Sequence, residues 1–178
     1  MEGFLTESHI VVVGDDPISL RQVEQVLHTD GYRRVSVTTD LQRSQDFVTG
    51  HEPDLVLLDL APPHLRGLEL VQSLRGQVAA DSFVPILMLT TELASVERRQ
   101  ALKAGANDLL TKPIDMEELS LRVARLIDTR RLIVTLQRER AMLASMVADQ
   151  TAEQNPGAGQ GQLRARATRV RRTSSSPA

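Results

Sequence analysis

No cysteine and no tryptophan occur among the 178 residues. Without thiols there is no disulfide, no thiolate nucleophile and no Cys-ligated zinc or iron–sulfur centre, and this agrees with a reducing compartment. Three Phe and one Tyr hold the aromatic fraction at 2%, which argues against stacking bases or sugars on rings. Long apolar runs are also missing: none approaches the roughly eighteen residues a membrane span needs, and no basic flank precedes an apolar segment at the N-terminus. The expectation is a soluble, cytoplasmic chain with no membrane partner.

What is present is an aliphatic chain whose length suits one domain plus an appendage of about thirty to fifty residues. The formal net charge of −2 conceals a split, because residues 155–178 hold five Arg and no acid. The remaining 1–154 carry sixteen basic and twenty-three acidic residues, a net of −7. An acidic body of that kind is a poor nucleic-acid binder.

From His9 onward, short apolar runs alternate with longer segments of helical period. His9 to Gly14 reads as a buried strand, and Pro17 as the first residue of a helix to about His28, ended by Gly31. Arg33 to Thr38 reads as a second strand, with Asp40 capping a helix from Leu41 to about Thr49. Asp54 to Asp59 is apolar on both faces, as a central parallel strand must be. A helix from about Leu65 to Gln77, a strand from Pro85 to Thr90, a helix from Leu93 to Ala104 closed by Gly105, and a short strand Asp108–Leu110 follow. Such alternation predicts right-handed crossovers and an α/β fold with an open, doubly wound, five-stranded parallel sheet.

The last helix starts near Asp115, with Glu118 three residues on as a capping partner, and its pattern continues to about Ala148. At about 1.5 Å per residue it spans roughly 50 Å and outruns the domain. With Leu119, Leu126, Ile133, Arg140 and Val147 at a, the d positions are Arg122, Thr129, Leu136 and Leu143. The seam is free of charge only from Leu126 onward, where Arg140 alone interrupts it, and favours a two-stranded coiled coil over a lone solvated helix. The expected division is a domain over 7–130, a helical extension over 131–150 and a disordered basic tail over 151–178.

Ligands of a doubly wound sheet bind beyond the carboxyl ends of its strands. There the chain carries Asp15 and Asp16 after the first strand, Asp59 at the end of the third, Thr90 at the end of the fourth and Lys112 after the fifth. If the first strand lies beside the third, three carboxylates meet, and such a cluster suits Mg²⁺, a hard cation that keeps waters and shares phosphate oxygens. Lys112 and Thr90 add the positive charge and the donor that an anionic group on Asp59 requires. Asp15 and Asp16 serve equally well as caps for the helix at Pro17. No catalytic triad, P-loop or dinucleotide fingerprint competes.

These residues, with Asp59-Leu-Ala-Pro-Pro63, Gly67-Leu-Glu-Leu70 and Ala104-Gly-Ala-Asn-Asp-Leu-Leu-Thr-Lys-Pro113, resemble the receiver domain of two-component response regulators over about residues 7 to 130. The likeness is to the chemotaxis-regulator type and implies a flavodoxin-like sheet in the order 2-1-3-4-5. It implies that Asp59 accepts a phosphoryl group from a sensor histidine kinase or histidine phosphotransfer protein. Asp15, Asp16, Asp59 and the backbone carbonyl of Ala61 would hold Mg²⁺, Thr90 and Lys112 would contact the phosphoryl oxygens, and the Lys112–Pro113 bond would be cis. Relatives read the switch out on the face of the fourth helix, fifth strand and fifth helix.

The chain is thus expected to be a regulator and not an enzyme, acting through its long helix on a partner or on a second copy of itself. The alternative is a receiver-like scaffold that works through its coiled coil without phosphorylation. A Mg²⁺-dependent aspartyl phosphatase is disfavoured, since that type places a second Asp two residues after the first, where Ala61 stands. The segment Arg122–Arg140 resembles the connector that joins receivers to cyclic-di-GMP enzymes or kinase modules in larger relatives.

Three positions depart from the family pattern. Leu109 stands where Tyr or Phe is usual three residues before the lysine, Thr91 follows Thr90 where a smaller residue is common, and Arg66 precedes Gly67 where Asp is frequent. A bulky Thr91 crowds the phosphoryl group against attacking water, so Thr91→Ala is expected to shorten the half-life of phosphorylated Asp59. An unchanged half-life after removal of the phosphodonor would exclude that role.

Overall fold

His9–Gly14 contains three consecutive valines and is buried at every position. β-branched side chains pack well on a pleated surface, and a strand covered on both faces has no need of polar alternation. The computed structural model describes residues 7–40, 43–60, 65–77, 83–91 and 95–154. Its elements are β1 (His9–Gly14), α1 (Pro17–Thr29), β2 (Arg34–Thr38), α2 (Ser44–His51), β3 (Leu55–Asp59), α3 (Leu65–Gln77), β4 (Ile86–Thr90), α4 (Ser95–Ala104), β5 (Asp108–Thr111) and α5 (Met116–Gln154).

The five strands are parallel and lie in the order β2-β1-β3-β4-β5. Side chains alternate between the two faces, so each central strand feeds two cores. Ile10, Val12, Leu55, Leu57, Leu87 and Leu89 face one cluster, completed by Leu20, Val23 and Leu27 of α1 and Leu119, Val123 and Ile127 of α5. Val11, Val13, Val56, Leu58, Ile86 and Met88 face the other, completed by Val48 of α2, Val71 and Leu74 of α3 and Ala101 of α4. Each fully buried aliphatic side chain contributes about 1.5–3 kcal/mol of transfer free energy, so the double cover secures the sheet that carries the strand ends.

The helix ends are closed by specific groups. Asp16 Oδ1 accepts the Ile18 N–H at 2.9 Å, with Pro17 as the first helical residue. Gly105 has φ +114 and lets the Ala106 N–H return to the Ala101 carbonyl at 3.0 Å, ending α4 in a Schellman-type closure. Arg75 lies against this turn and donates from Nε and Nη2 to the Gly105 carbonyl at 3.0 and 2.9 Å, and from Nη1 to the Val84 carbonyl at 2.6 Å. Burial holds the Arg75 guanidinium below its ordinary pKa.

At two helix starts the capping departs in part from expectation. Helix α2 is described from Ser44, after an Arg43 N-cap with no side-chain hydrogen bond, and the expected start at Leu41 lies outside the described residues. The Asp40 carboxylate accepts the Arg43 N–H at 3.2 Å while the Asp40 N–H donates to Thr38 Oγ1 at 3.1 Å. Such local side-chain bonds compete with the role of a helix cap. At α5, Asp115 Oδ1 accepts the N–H groups of Glu117 and Glu118 at 2.9 and 3.3 Å. Glu118, expected to complete a reciprocal box, instead pairs with Arg122 four residues on.

The chain divides into two units, Met1–Thr135 and Leu136–Ala178. Within the first, α5 is held by the buried stripe Leu119, Val123 and Ile127 and by Arg130. Arg130 Nη1 donates to the Phe83 carbonyl, and its Nε lies 3.7 Å from Asp54 Oδ1. Asp54 in turn exchanges hydrogen bonds with the His9 backbone at the start of β1. The helix continues to Gln154, past the expected end at Ala148, so residues 151–154 are helical and not part of the tail. The rest of the expected tail, 155–178, lies outside the described residues. No described helix is long and apolar enough to cross a membrane.

Gly14 ends β1 opposite Asp59, where an added Cβ would stand 2.5 Å from the Asp59 carbonyl oxygen and 2.7 Å from Leu20 Cδ2. Because the nearest atom is backbone, the clash cannot be relieved by a rotamer change. Gly14→Ala is expected to destabilise the fold by about 2 kcal/mol or more, measured as a lowered urea midpoint at unchanged slope.

Candidate functional site

The register of the sheet brings the strand ends to one edge. Gly14 pairs with Asp59 and Asp59 with Leu89, while Thr90 pairs with Thr111. Asp59 is fully buried, and the Asp15 N–H donates to its carbonyl at 3.2 Å. An ionised carboxylate in such a place demands partners. Ser19 Oγ donates to Oδ2 at 2.5 Å, and the Lys112 ammonium pairs with Oδ1. Beyond that ion pair Oδ1 accepts no hydrogen bond.

Lys112 reaches Asp59 because its own backbone is held. Its N–H donates to the Thr90 carbonyl at 2.7 Å just past β5, and the Lys112–Pro113 peptide is cis, as the resemblance implied. The same bond ties Lys112 to the end of β4, so Thr90 and Lys112 belong to one edge. Thr90 is half-buried and Thr91 exposed.

Asp15 and Asp16 are exposed beside the buried Asp59. The candidate ligands here are all carboxylate oxygens, the set a hard divalent cation takes, and Asp59 Oδ2 faces the α1 flank while Oδ1 pairs with Lys112. In donor chemistry the residues therefore fit Mg²⁺. The expected three-carboxylate cluster is not drawn together, however: among the described residues no three acidic or histidine side chains group closely enough to hold a metal ion. Asp16 turns Oδ1 to its helix cap, while Asp59 is engaged by Ser19 and Lys112. Ala61 lies outside the described residues.

Ser19 was not among the residues singled out from the sequence. Its only signal there is a hydroxyl in the first turn of the helix that follows the acidic pair, a place where serine is commonly a capping residue. Leu109, at the position where relatives carry a ring, is buried in the second core with Ala101 and Ala106. The side chain of Arg66 lies outside the described residues. On the neighbouring face Arg122 joins α5 to β5 through Glu118 and Asp108, and its hydrogen bonds to these two acids raise its pKa above the ordinary value.

A sequence profile described as the response regulator receiver domain matches residues 10–124. The chain belongs to that family. It is 34% identical over 119 residues to the TorCAD operon transcriptional regulatory protein TorR of Escherichia coli K12, covering 67% of this chain and 50% of TorR. It is 36% identical over 118 residues to the response regulator MprA of Mycolicibacterium vanbaalenii, covering 66% and 49%. The solved structure of chemotaxis protein CheY4 of Vibrio cholerae superposes with a TM-score of 0.60 at 28% identity, covering 67% of this chain and 98% of that one. The chain thus spans about half the length of the curated regulators it matches and nearly the whole of the single-domain structure.

Proposed function

We propose that this receiver domain accepts a phosphoryl group on Asp59 from the phosphohistidine of a sensor kinase or phosphotransfer protein, and signals through α4, β5 and the extended α5. The observation that carries this reading is a fully buried carboxylate at the sheet edge, ion-paired with Lys112, whose own N–H bonds the Thr90 carbonyl. A carboxylate oxygen of Asp59 forms the new O–P bond as the P–N bond breaks, and the electron pair leaves with the imidazole. Asp15, Asp16, Asp59 and the Ala61 carbonyl would hold Mg²⁺, which neutralises charge on the transferred group. Lys112 exchanges its carboxylate partner for a phosphoryl oxygen, and Thr90 donates to another. Phosphorylation adds charge and three acceptor oxygens, so the interactions of both residues change in that state and bias the segments after β4 and β5.

The output is proposed to pass along α5 to a second copy of the chain. Supporting this are the exposed Leu132, Leu136, Leu143, Met146 and Val147, five apolar side chains on a helix that no longer covers the core. Leu136, Leu143 and Val147 fall on the seam of the heptad read above, the arrangement that a parallel two-stranded coil buries. The same observation favours a second reading, in which the coil works as a scaffold independent of phosphorylation.

Incubation with a small phosphodonor and Mg²⁺ is expected to add one phosphoryl group, read by intact mass, and Asp59→Asn to abolish it. Persistence of the adduct in Asp59→Asn would refute the assignment. The full chain is expected to sediment as a dimer, and the double variant Leu136→Glu, Leu143→Glu as a monomer. A phosphodonor that shifts the dimer equilibrium of the wild type but not of Asp59→Asn supports the switch, whereas identical dimerisation in both supports the scaffold.

A further inference from the structure

Helix α1 begins immediately after the acidic pair, and its first turn sends two polar side chains in different directions. Asp16 turns back to cap the helix, accepting the Ile18 N–H at 2.9 Å. Ser19 reaches across to β3 and donates to Asp59 Oδ2 at 2.5 Å. The two oxygens of Asp59 are therefore engaged from opposite flanks: Oδ2 from the α1 flank, where Asp15 and Asp16 stand, and Oδ1 by Lys112 from the β5 flank. The oxygen on the acidic flank is the one a cation shared with Asp15 and Asp16 would contact, and it already carries a short hydrogen bond.

We propose that Ser19 is a placeholder for the divalent cation, competing for Asp59 Oδ2 and thereby setting the cation affinity of the site. Asp59 is fully buried, so without the cation its charge must be compensated from within the protein. A hydroxyl donor to a carboxylate is a charge-assisted bond, stronger than one between neutral groups. It stabilises the unloaded carboxylate and must be surrendered when Oδ2 turns to a metal. The lack of any ready-made group of three acids among the described residues agrees with this, because Asp59 and Asp16 are both committed elsewhere. Ser19 sits third in α1, half-buried, and a χ1 rotation suffices to release the bond without moving the helix.

This inference rests on the reading of Asp59 as a Mg²⁺-assisted phosphoacceptor, and the experiment separates the two. Mg²⁺ is titrated into the full chain and the melting temperature followed, since a ligand at free concentration L that binds only the folded state stabilises it by RT ln(1 + L/Kd). The arms are wild type, Ser19→Ala, Ser19→Thr and Asp59→Asn, with affinities also taken by calorimetry. Ser19→Ala is expected to bind Mg²⁺ roughly tenfold more tightly, while Ser19→Thr, which keeps the hydroxyl, stays at the wild-type affinity. A purely structural serine would change the melting temperature without Mg²⁺ and leave the Mg²⁺ affinity alone, and that result overturns the proposal. Equal or weaker affinity in Ser19→Ala, alongside lost binding in Asp59→Asn, overturns the placeholder role but not the phosphoacceptor reading. Unchanged affinity in Asp59→Asn overturns both.

Discussion

A single buried charge organises this molecule. Asp59 has no exposed surface, yet its carboxylate stands at the end of the central strand, and everything near it is arranged to keep that charge in place. Removing a carboxylate from water is expensive unless donors and a counter-charge replace the lost hydration. Here the replacements come from distant parts of the chain, Ser19 from α1 and Lys112 from beyond β5. Their convergence depends on strand register, since a one-residue slip in β3 would send Asp59 to the opposite face. The two aliphatic cores that clamp the sheet therefore act on the chemistry indirectly, by holding the register in which three strand ends meet.

Much of this was legible in the sequence because it is written in periods that only one architecture satisfies. β1 and β3 carry unbroken apolar runs, Ile10–Val13 and Leu55–Leu58, so they had to be central, and the polar residues that follow them had to lie at one edge. Asp59 and Thr90 could be singled out without coordinates because each follows an apolar run directly, and Lys112 because it stands one residue beyond such a run. Ser19 could not, since a serine in a first helical turn carries no mark that tells a capping hydroxyl from one that reaches another strand. Asp40 was ambiguous for a related reason: short polar side chains bond nearby backbone in turns as readily as at helix starts, and local pattern does not say which wins. The convergence of the acidic side chains depends on rotamers, a level at which residue spacing is silent.

The long helix shows two regimes of stabilisation in one element. Up to Ile127 its buried face recurs every four residues and packs on the sheet, with Leu119, Val123 and Ile127 all buried. A heptad seam written through Leu119 and Leu126 describes that stretch poorly, because the domain core and not a partner helix selects the inward face. Beyond Arg130 no core selects a face, and Leu132, Leu136 and Leu143 are each more than 60% exposed. Apolar side chains left in water on a continuous helix are what a second helix would cover.

Arg130 gives this arrangement a mechanical consequence. Its contacts with the Phe83 carbonyl and Asp54 lie at the amino ends of the strands, where Asp54 also bonds the backbone of His9. Asp59 lies at the carboxyl ends of the same β1–β3 pair. The extended helix is thus pinned at one pole of the sheet while the buried charge occupies the other, with two stiff strands between them. Free-energy coupling between two sites runs equally in both directions. Any partner that grips the helix more tightly in one state of Asp59 must then, in the same measure, lower the free energy of that state, and the listener becomes part of the balance it reads.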